Sequence, residues 1–471
     1  MQILINKGII NEKKLTVIFL LLLSICTSIS AQRKVRVACI GLAEHGKNAY
    51  PAQLQNMLGN EYQLINFVHS APNVPNDKGY SKTKRDAMAS RPDIVIINLD
   101  VNHIKPPTGS SYGEFEAKYR ALISDFKQLP IKPRILLLSP LPAFRVDSNH
   151  ISNKILLANI IPIVQQVAFD EKLEIINLYP LFIDKPELFP DKIHLSSSGT
   201  ALVASRLYEA LKQKENKDFD IFSEIKEEKK ISNFYGFECA DFTFSGRNCK
   251  VVKPKKATKG NPWMWRARFW GHEPQTDVSL LERGFHVVYC DVAELFGNAE
   301  AIELWNKFYK RMHQSGLSEK VVLEGMSRGG VYVYNWALAN PGKVACIYAD
   351  APVLDLRSWP GGKRNDGAEQ AWAEFKQDYK LTEEQALAFS NSPLNNTEKI
   401  AKLGFPMLHV VGDADNVVPV AENTGPFEQR ILGAGGNIKV IHKPGVNHHP
   451  HSLQDPTPIT NFILGAMVIN K

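Results

Sequence analysis

Short apolar runs recur along this chain, and most are separated by stretches whose apolar residues return at helical spacing. In the first half the runs fall at 35–40, 62–67, 94–99, 135–138 and 173–178, with helical patterns at 114–129 and 155–169. Strands alternating with helices predict a parallel sheet covered on both faces, a three-layer α/β/α unit. The pattern then breaks: the run KENKDFDIFSEIKEEKK, residues 214–230, is dense in mixed charge with few apolar anchors, and reads as a linker over 215–232 or an exposed helix joining two units. A second α/β pattern follows. It opens with a hairpin, FECADFTFSGRNCKVV, turning at Ser245-Gly246, and continues with apolar runs at 285–290, 321–323, 346–348, 407–411 and 439–441. The expected organisation is two α/β units, residues 32–214 and 233–471, joined by a charged segment.

Within the second unit, VVLEGMSRGG joins an apolar run to the helical pattern VYVYNWALA. Gly325-Met326-Ser327-Arg328-Gly329 fits G-x-S-x-G, the sharp strand-to-helix turn that lifts a serine oxygen out of a sheet edge. The glycines are expected because a side chain at either position would strike the neighbouring strand or helix. The turn also leaves Ser327 at a helix N-terminus, where free N–H groups favour a developing negative charge. A serine alone is a poor nucleophile and needs a base, oriented by an acid, to take its proton. In an α/β-hydrolase these follow in the order Ser, acid, His. After the run 407–411 stands Gly412-Asp413-Ala414-Asp415-Asn416-Val417-Val418-Pro419, and after 439–441 stands Pro444-Gly445-Val446-Asn447-His448-His449-Pro450-His451. Asp415 is the chosen acid, because Gly-x-x-Asp-x-x-Val-Pro resembles the acid loop of that fold; Asp413 reads as a turn former. Gly-x-x-His puts the base at His448, with His449 the runner-up. The closely spaced histidines come with no carboxylate or cysteine spacing, so no metal and no cofactor are expected.

Composition changes this picture little. An apolar fraction of 44% and a charged fraction of 22% are those of a globular protein. The formal charge of +7 is not gathered into a dense basic helix, so a nucleic-acid partner is not expected. Lys7, Lys13 and Lys14 precede the apolar run 15–24, and Ser28, Ser30 and Ala31 could offer a cleavage site, so residues 1–31 read as a secretory signal. A lipoprotein reading at Cys26 fits less well, because Ile25 stands where a small residue is expected. The run is too short for a transmembrane helix, which makes the expected location periplasmic or cell-surface. In such a compartment Cys239 and Cys249, flanking the hairpin, could pair, and could equally remain thiols. Cys39, Cys290 and Cys346 sit in apolar runs and read as buried thiols.

Two family resemblances sharpen the expectations. The first unit resembles the SGNH/GDSL hydrolases: Asp191 and His194, in FPDKIHLSSSG, match that family's Asp-x-x-His block, and Asn102, in LDVNH, matches its asparagine. The nucleophile is missing, since Gly41 is followed by Leu42 and Ala43, and Val68 stands where a donor glycine belongs. The resemblance therefore implies a degenerate, inactive domain. The second unit, from Gly236 to about Leu464, resembles the pectin-methylesterase-type α/β-hydrolase carbohydrate esterases in NPWMWRARFWG, LEGMSRGG, SWPGG, VGDADNVVP and HHPHSLQDPTPI. Its Ser-Arg-Gly step is also similar to glucuronoyl esterases. This likeness implies methyl-ester hydrolysis on an anionic, uronic-acid-containing polysaccharide. Deacetylation of sugars is the alternative, and non-catalytic glycan binding a more distant one. Trp265 and Arg266 are expected at the oxyanion site, Arg328 at the oxyanion or a substrate carboxylate, and Trp359 against a sugar ring.

Overall fold

The computed structural model describes residues 33–41, 46–67, 78–98, 110–145, 151–365 and 367–469. The signal-like residues 1–31, together with Ala43, Val68 and Asn102, lie outside the described residues. Among the described residues no helix is long and apolar enough to cross a membrane.

Five strands form the first sheet: β1 (Val35–Gly41), β2 (Tyr62–Phe67), β3 (Ile94–Asn98), β4 (Arg134–Leu138) and β5 (Glu174–Ile176). Their order is β2-β1-β3-β4-β5, all parallel. The central β3 is buried at every position, as an apolar run covered on both faces must be. The helix Ser197–Lys212 begins on a cap that the sequence supplies, Ser196 accepting from the Gly199 amide.

The second sheet has nine strands: β6 (Lys229–Phe234), β7 (Phe237–Phe244), β8 (Arg247–Lys253), β9 (Trp263–Arg266), β10 (His286–Cys290), β11 (Val321–Met326), β12 (Val344–Asp350), β13 (Met407–Gly412) and β14 (Ile438–Lys443). The order is β14-β13-β12-β11-β9-β10-β8-β7-β6. From β10 to β14 neighbours run parallel, while β6, β7 and β8 extend the sheet as an antiparallel meander. This is the α/β-hydrolase arrangement, with β11 near the centre and the loops after β11, β13 and β14 at one edge.

Three expectations need correcting. Residues 215–232 are not a free linker: Ile221, Phe222 and Ile225 are buried in the core of the second sheet, the helix Ile221–Glu224 is capped by Asp220, and β6 starts at Lys229. Three apolar residues suffice to dock a segment whose remaining positions stay solvated. Trp265 and Arg266, expected at the oxyanion site, lie instead in the central strand β9, buried at every position. Cys239 and Cys249 do not pair, because in the hairpin register they face Val252 and Phe242 rather than each other. Cys249 instead lies opposite Cys290 across β8 and β10, and both are free thiols.

The two halves share a core. Val164, Val167 and Ala168 of the helix Ile161–Asp170 pack in one apolar cluster with Phe234, Phe237 and Val252 of the second sheet. A buried ion pair, Arg206 to Glu282 at 2.9 Å, crosses the junction with both side chains 4% exposed, and Glu282 also accepts from the Asn177 amide at 2.6 Å. A cavity of about 550 Å³ beside it is lined by Leu157, Tyr179, Tyr235 and Pro456, away from the serine turn.

Candidate active site

Strand β11 ends at Met326, and the chain turns at Ser327 into the helix Gly329–Ala339. Ser327 has φ of 49°, a left-handed conformation that a non-glycine residue adopts only where its surroundings hold it there. Here the Ser327 amide donates to the Asp350 carbonyl (2.8 Å) and the Val353 amide to the Ser327 carbonyl (2.9 Å). The glycines do not contribute equally. A Cβ on Gly325 would stand 2.8 Å from the Gly329 carbonyl oxygen and 2.8 Å from Val333, and one on Gly330 would stand 2.6 Å from Pro352. At Gly329 the nearest atom would be 3.5 Å away, an ordinary contact, so the expectation of a collision there does not hold.

The loops after β13 and β14 bring two more side chains to this turn. His448 Nε2 is 3.0 Å from Ser327 Oγ, and His448 Nδ1 is 2.7 Å from Asp415 Oδ2. Both the His448 and Asp415 side chains are buried, at 8% and 1% exposure. The other carboxylate oxygen of Asp415 accepts from the Val417 and Val418 amides at 2.9 and 2.8 Å, which fixes the carboxylate plane. Asn447 Oδ1 accepts from the amides of His448 (2.8 Å) and Asn416 (3.1 Å), tying the loop after β13 to the loop after β14. Sequence reasoning missed Asn447, although it directly precedes the histidine. Asp413 pairs instead with the exposed His442 at 2.6 Å, and His449 is exposed with no bond to Ser327.

The flanking expectations divide. Arg328 lies beside the turn with its guanidinium 4.4 Å from the Phe296 ring centroid and 5.7 Å from that of Trp359. Its Nε and Nη1 are buried without a hydrogen-bond acceptor, Glu374 approaching Nη1 only at 3.5 Å. Trp359 is half-buried, its indole N–H bonded to Asn365. Trp265 and Arg266 are elsewhere. Trp265 is wholly buried against Trp263, Trp305 and Trp336. Arg266 is buried in an ion cluster with Asp277 and Glu324. Burial pushes both carboxyls above their ordinary values, against the pull of the Arg266 charge. Arg266 also donates to the carbonyls of Phe269 (3.2 Å) and His272, bracing the loop that follows β9. That loop passes the serine turn: Ala267 bonds the Glu324 carbonyl at 2.9 Å, and Arg268 N would lie 4.0 Å from a Cβ on Gly329. Among the described residues the amides of Arg268 and Arg328 have no acceptor within the fold.

Next to His448 lies a second histidine group, to which the distant His272 is brought. His272, His449 and His451 bring their ring nitrogens within 4.8 Å of one another, and the His449 and His451 rings stand 5.0 and 4.8 Å from that of His448. His449 and His272 are both held below the ordinary histidine pKa, first by partial burial and then by neighbouring histidines, His451 foremost. In the first half, Asp191 and His194 do form a pair, at 2.5 Å, but both are about half exposed.

A turn-borne serine, a buried carboxylate and a histidine, in that chain order and at the strand ends of this sheet, are arranged as in the α/β-hydrolase fold. Residues 301–460 match the model of the prolyl oligopeptidase family. An acetylxylan esterase of Xylanibacter ruminicola is 34% identical over 208 residues, the match covering 38% of this chain and 43% of that protein. The chain thus spans less than half the length of this curated relative. Among solved structures, an S-formylglutathione hydrolase from Agrobacterium tumefaciens aligns at 16% identity over 51% of this chain and 97% of its own, with a TM-score of 0.39. Porphyromonas gingivalis dipeptidyl peptidase 4 aligns at 15% identity over 51% of this chain and 35% of its own, with a TM-score of 0.37.

Proposed function

We propose that the protein is an exported serine carbohydrate esterase that removes acetyl groups from plant polysaccharides. The observation that carries this is the unbroken path from Ser327 Oγ through His448 to Asp415, at 3.0 and 2.7 Å. Ser327 attacks the ester carbonyl as His448 Nε2 takes its proton. Asp415 holds the imidazole with its Nδ1–H toward the carboxylate and stabilises the imidazolium. The free amides of Arg328 and Arg268, rather than Trp265 or Arg266, are the donors we assign to the oxyanion. His448 then protonates the leaving sugar oxygen, and water releases acetate from the acyl-enzyme by the same steps in reverse order. Arg328 and Trp359, stacked at the mouth of the site, form the surface we assign to the sugar.

Acetyl is preferred to the methyl ester of a uronic acid because a relative 34% identical over 208 residues is an acetylxylan esterase. The unsatisfied Arg328 guanidinium is the observation that favours the methyl-ester reading, as a partner for a uronate. Acetate and methanol release, measured side by side on acetylated xylan and methyl-esterified pectin, separates the two. Acetate release abolished by Ser327→Ala supports deacetylation, methanol without acetate moves the assignment to uronic esters, and neither product sinks the esterase reading. For the first half we propose a silent SGNH-like domain, its half-exposed Asp191–His194 pair having Ala43 in place of a nucleophile.

A further inference from the structure

We propose that His272, His449 and His451 form a binding site for one first-row divalent transition-metal ion of the zinc class. The proposal is independent of the esterase reading. The ring nitrogens available for ligation all lie within 4.8 Å of one another. Three neutral imidazoles with an open fourth position are a donor set that suits zinc, cobalt or nickel.

Three histidines close together on a surface would be weak grounds by themselves. Here one of them is built in. His451 is buried, and its Nδ1 bonds Asp350 Oδ1 at 2.8 Å, so its Nε2 lone pair is left to face the other two rings. Asp350 is itself fully engaged: Oδ2 accepts from Tyr348 Oη at 2.8 Å and from the Ser452 amide at 2.8 Å. A carboxylate behind a histidine, anchored in turn by its own partners, is the arrangement that sets the tautomer and orientation of a metal-ligating imidazole. Asp350 ends β12, so the group sits at the strand ends where open α/β sheets bind their ligands. His272 is braced independently, its carbonyl accepting from the buried Arg266.

The remaining two ligands can adapt. Tetrahedral coordination at about 2.0–2.1 Å needs nitrogens roughly 3.4 Å apart. The exposed rings of His272 and His449 can close on the fixed His451 by side-chain rotation, without moving β12. His448 bonds Ser327 and Asp415 through its two ring nitrogens and has none to spare, which separates this group from the catalytic one.

The full-length protein, freed of metal by chelation, is titrated with zinc chloride by calorimetry and with cobalt chloride by visible absorption. The expected result is one ion per chain, with the intense bands of four-coordinate cobalt. Single His272→Ala and His449→Ala variants, altered at exposed positions that leave the melting temperature unchanged, should each weaken binding at least tenfold. Asp350→Asn should weaken it about ten- to a hundredfold, the usual effect of losing the group behind a ligand, while Ser327→Ala leaves it unchanged. Absence of binding overturns the proposal, as does binding that persists in both histidine variants, which would locate the ion at another site such as His442 and Asp413.

Discussion

Gly325 and Gly329 frame Ser327 in G-x-S-x-G, yet the structure gives them different tolerances, and a matched pair of alanine variants exposes the difference. At Gly325 the new methyl would press at 2.8 Å on a backbone oxygen and at 2.8 Å on Val333, with the Gly329 carbonyl carbon at 2.9 Å. Two of these atoms belong to the first turn of the helix behind Ser327, so relief requires the turn itself to move. Overpacking of this kind costs about 1–3 kcal/mol. At about 2–4 °C per kcal/mol for a unit of this size, melting should fall by roughly 2–12 °C. The same shift carries Ser327 Oγ away from His448, and a displacement of about 1 Å lowers turnover on the order of a hundredfold. At Gly329 the nearest atoms are side-chain carbons at 3.5 and 3.8 Å, and alanine is the better helix former by up to about 1 kcal/mol. Gly329→Ala should therefore melt at or slightly above the parent temperature and keep most of its turnover. The assay is a thermal melt with kcat/KM on a small acetyl ester, both variants beside the parent. Equal damage at the two positions, or an undisturbed Gly325→Ala, would refute the reasoning.

Other outcomes follow from the same geometry. In metal-free buffer His448→Ala should lose turnover as Ser327→Ala does, on the order of 10⁶-fold, whereas His449→Ala should change it less than tenfold; the reverse pattern would reassign the base. Arg266→Met strips the counter-charge from Asp277 and should cost about 3–5 kcal/mol in a denaturant titration, while a loss under 1 kcal/mol would mean the two carboxyls accommodate each other. Burial lowers the pKa of His409 to about 3 and of His286 to about 4, so both fold neutral and take up protons on unfolding. Their stabilisation is complete above pH of about 6.5 and is lost as pH falls toward those values, by up to about 1.4 kcal/mol per pH unit per histidine. His409→Gln should flatten that acid limb, and an unchanged slope would contradict it. Asp191→Asn combined with His194→Ala should leave small-ester turnover at the parent rate.

How much of this was legible in the sequence depended on where each signal lay. Ser327, Asp415 and His448 could be read because each follows an apolar strand run at a fixed distance from a glycine, so that local spacing alone carried the information. The strand β9 was not readable, because an arginine beside two tryptophans after Asn-Pro looks like a loop; only the distant Asp277 and Glu324 make burial of Arg266 tolerable. The segment 215–232 misled for the opposite reason, its charges outnumbering the three apolar residues that dock it. The histidine group is the extreme case. His272 and His449 come from the loops after β9 and β14 and Asp350 from the end of β12, and no period or motif connects them until these strands are assembled in one sheet.

The Arg206–Glu282 pair bears on how this chain has been inherited. A side domain can be shed from a lineage when the surface it leaves behind is already wettable. Here, deleting the first half would uncover Phe234, Phe237 and Val252, which pack in one cluster with Val164, Val167 and Ala168, and would leave Glu282 without its guanidinium. Lys185 adds a second tie, 2.5 Å from Asp455 in the stretch that follows His451. Loss of the first half would then have to coincide with repair of the second, a double step that selection seldom finds. Such a clasp preserves a two-part gene even where the first part contributes no chemistry.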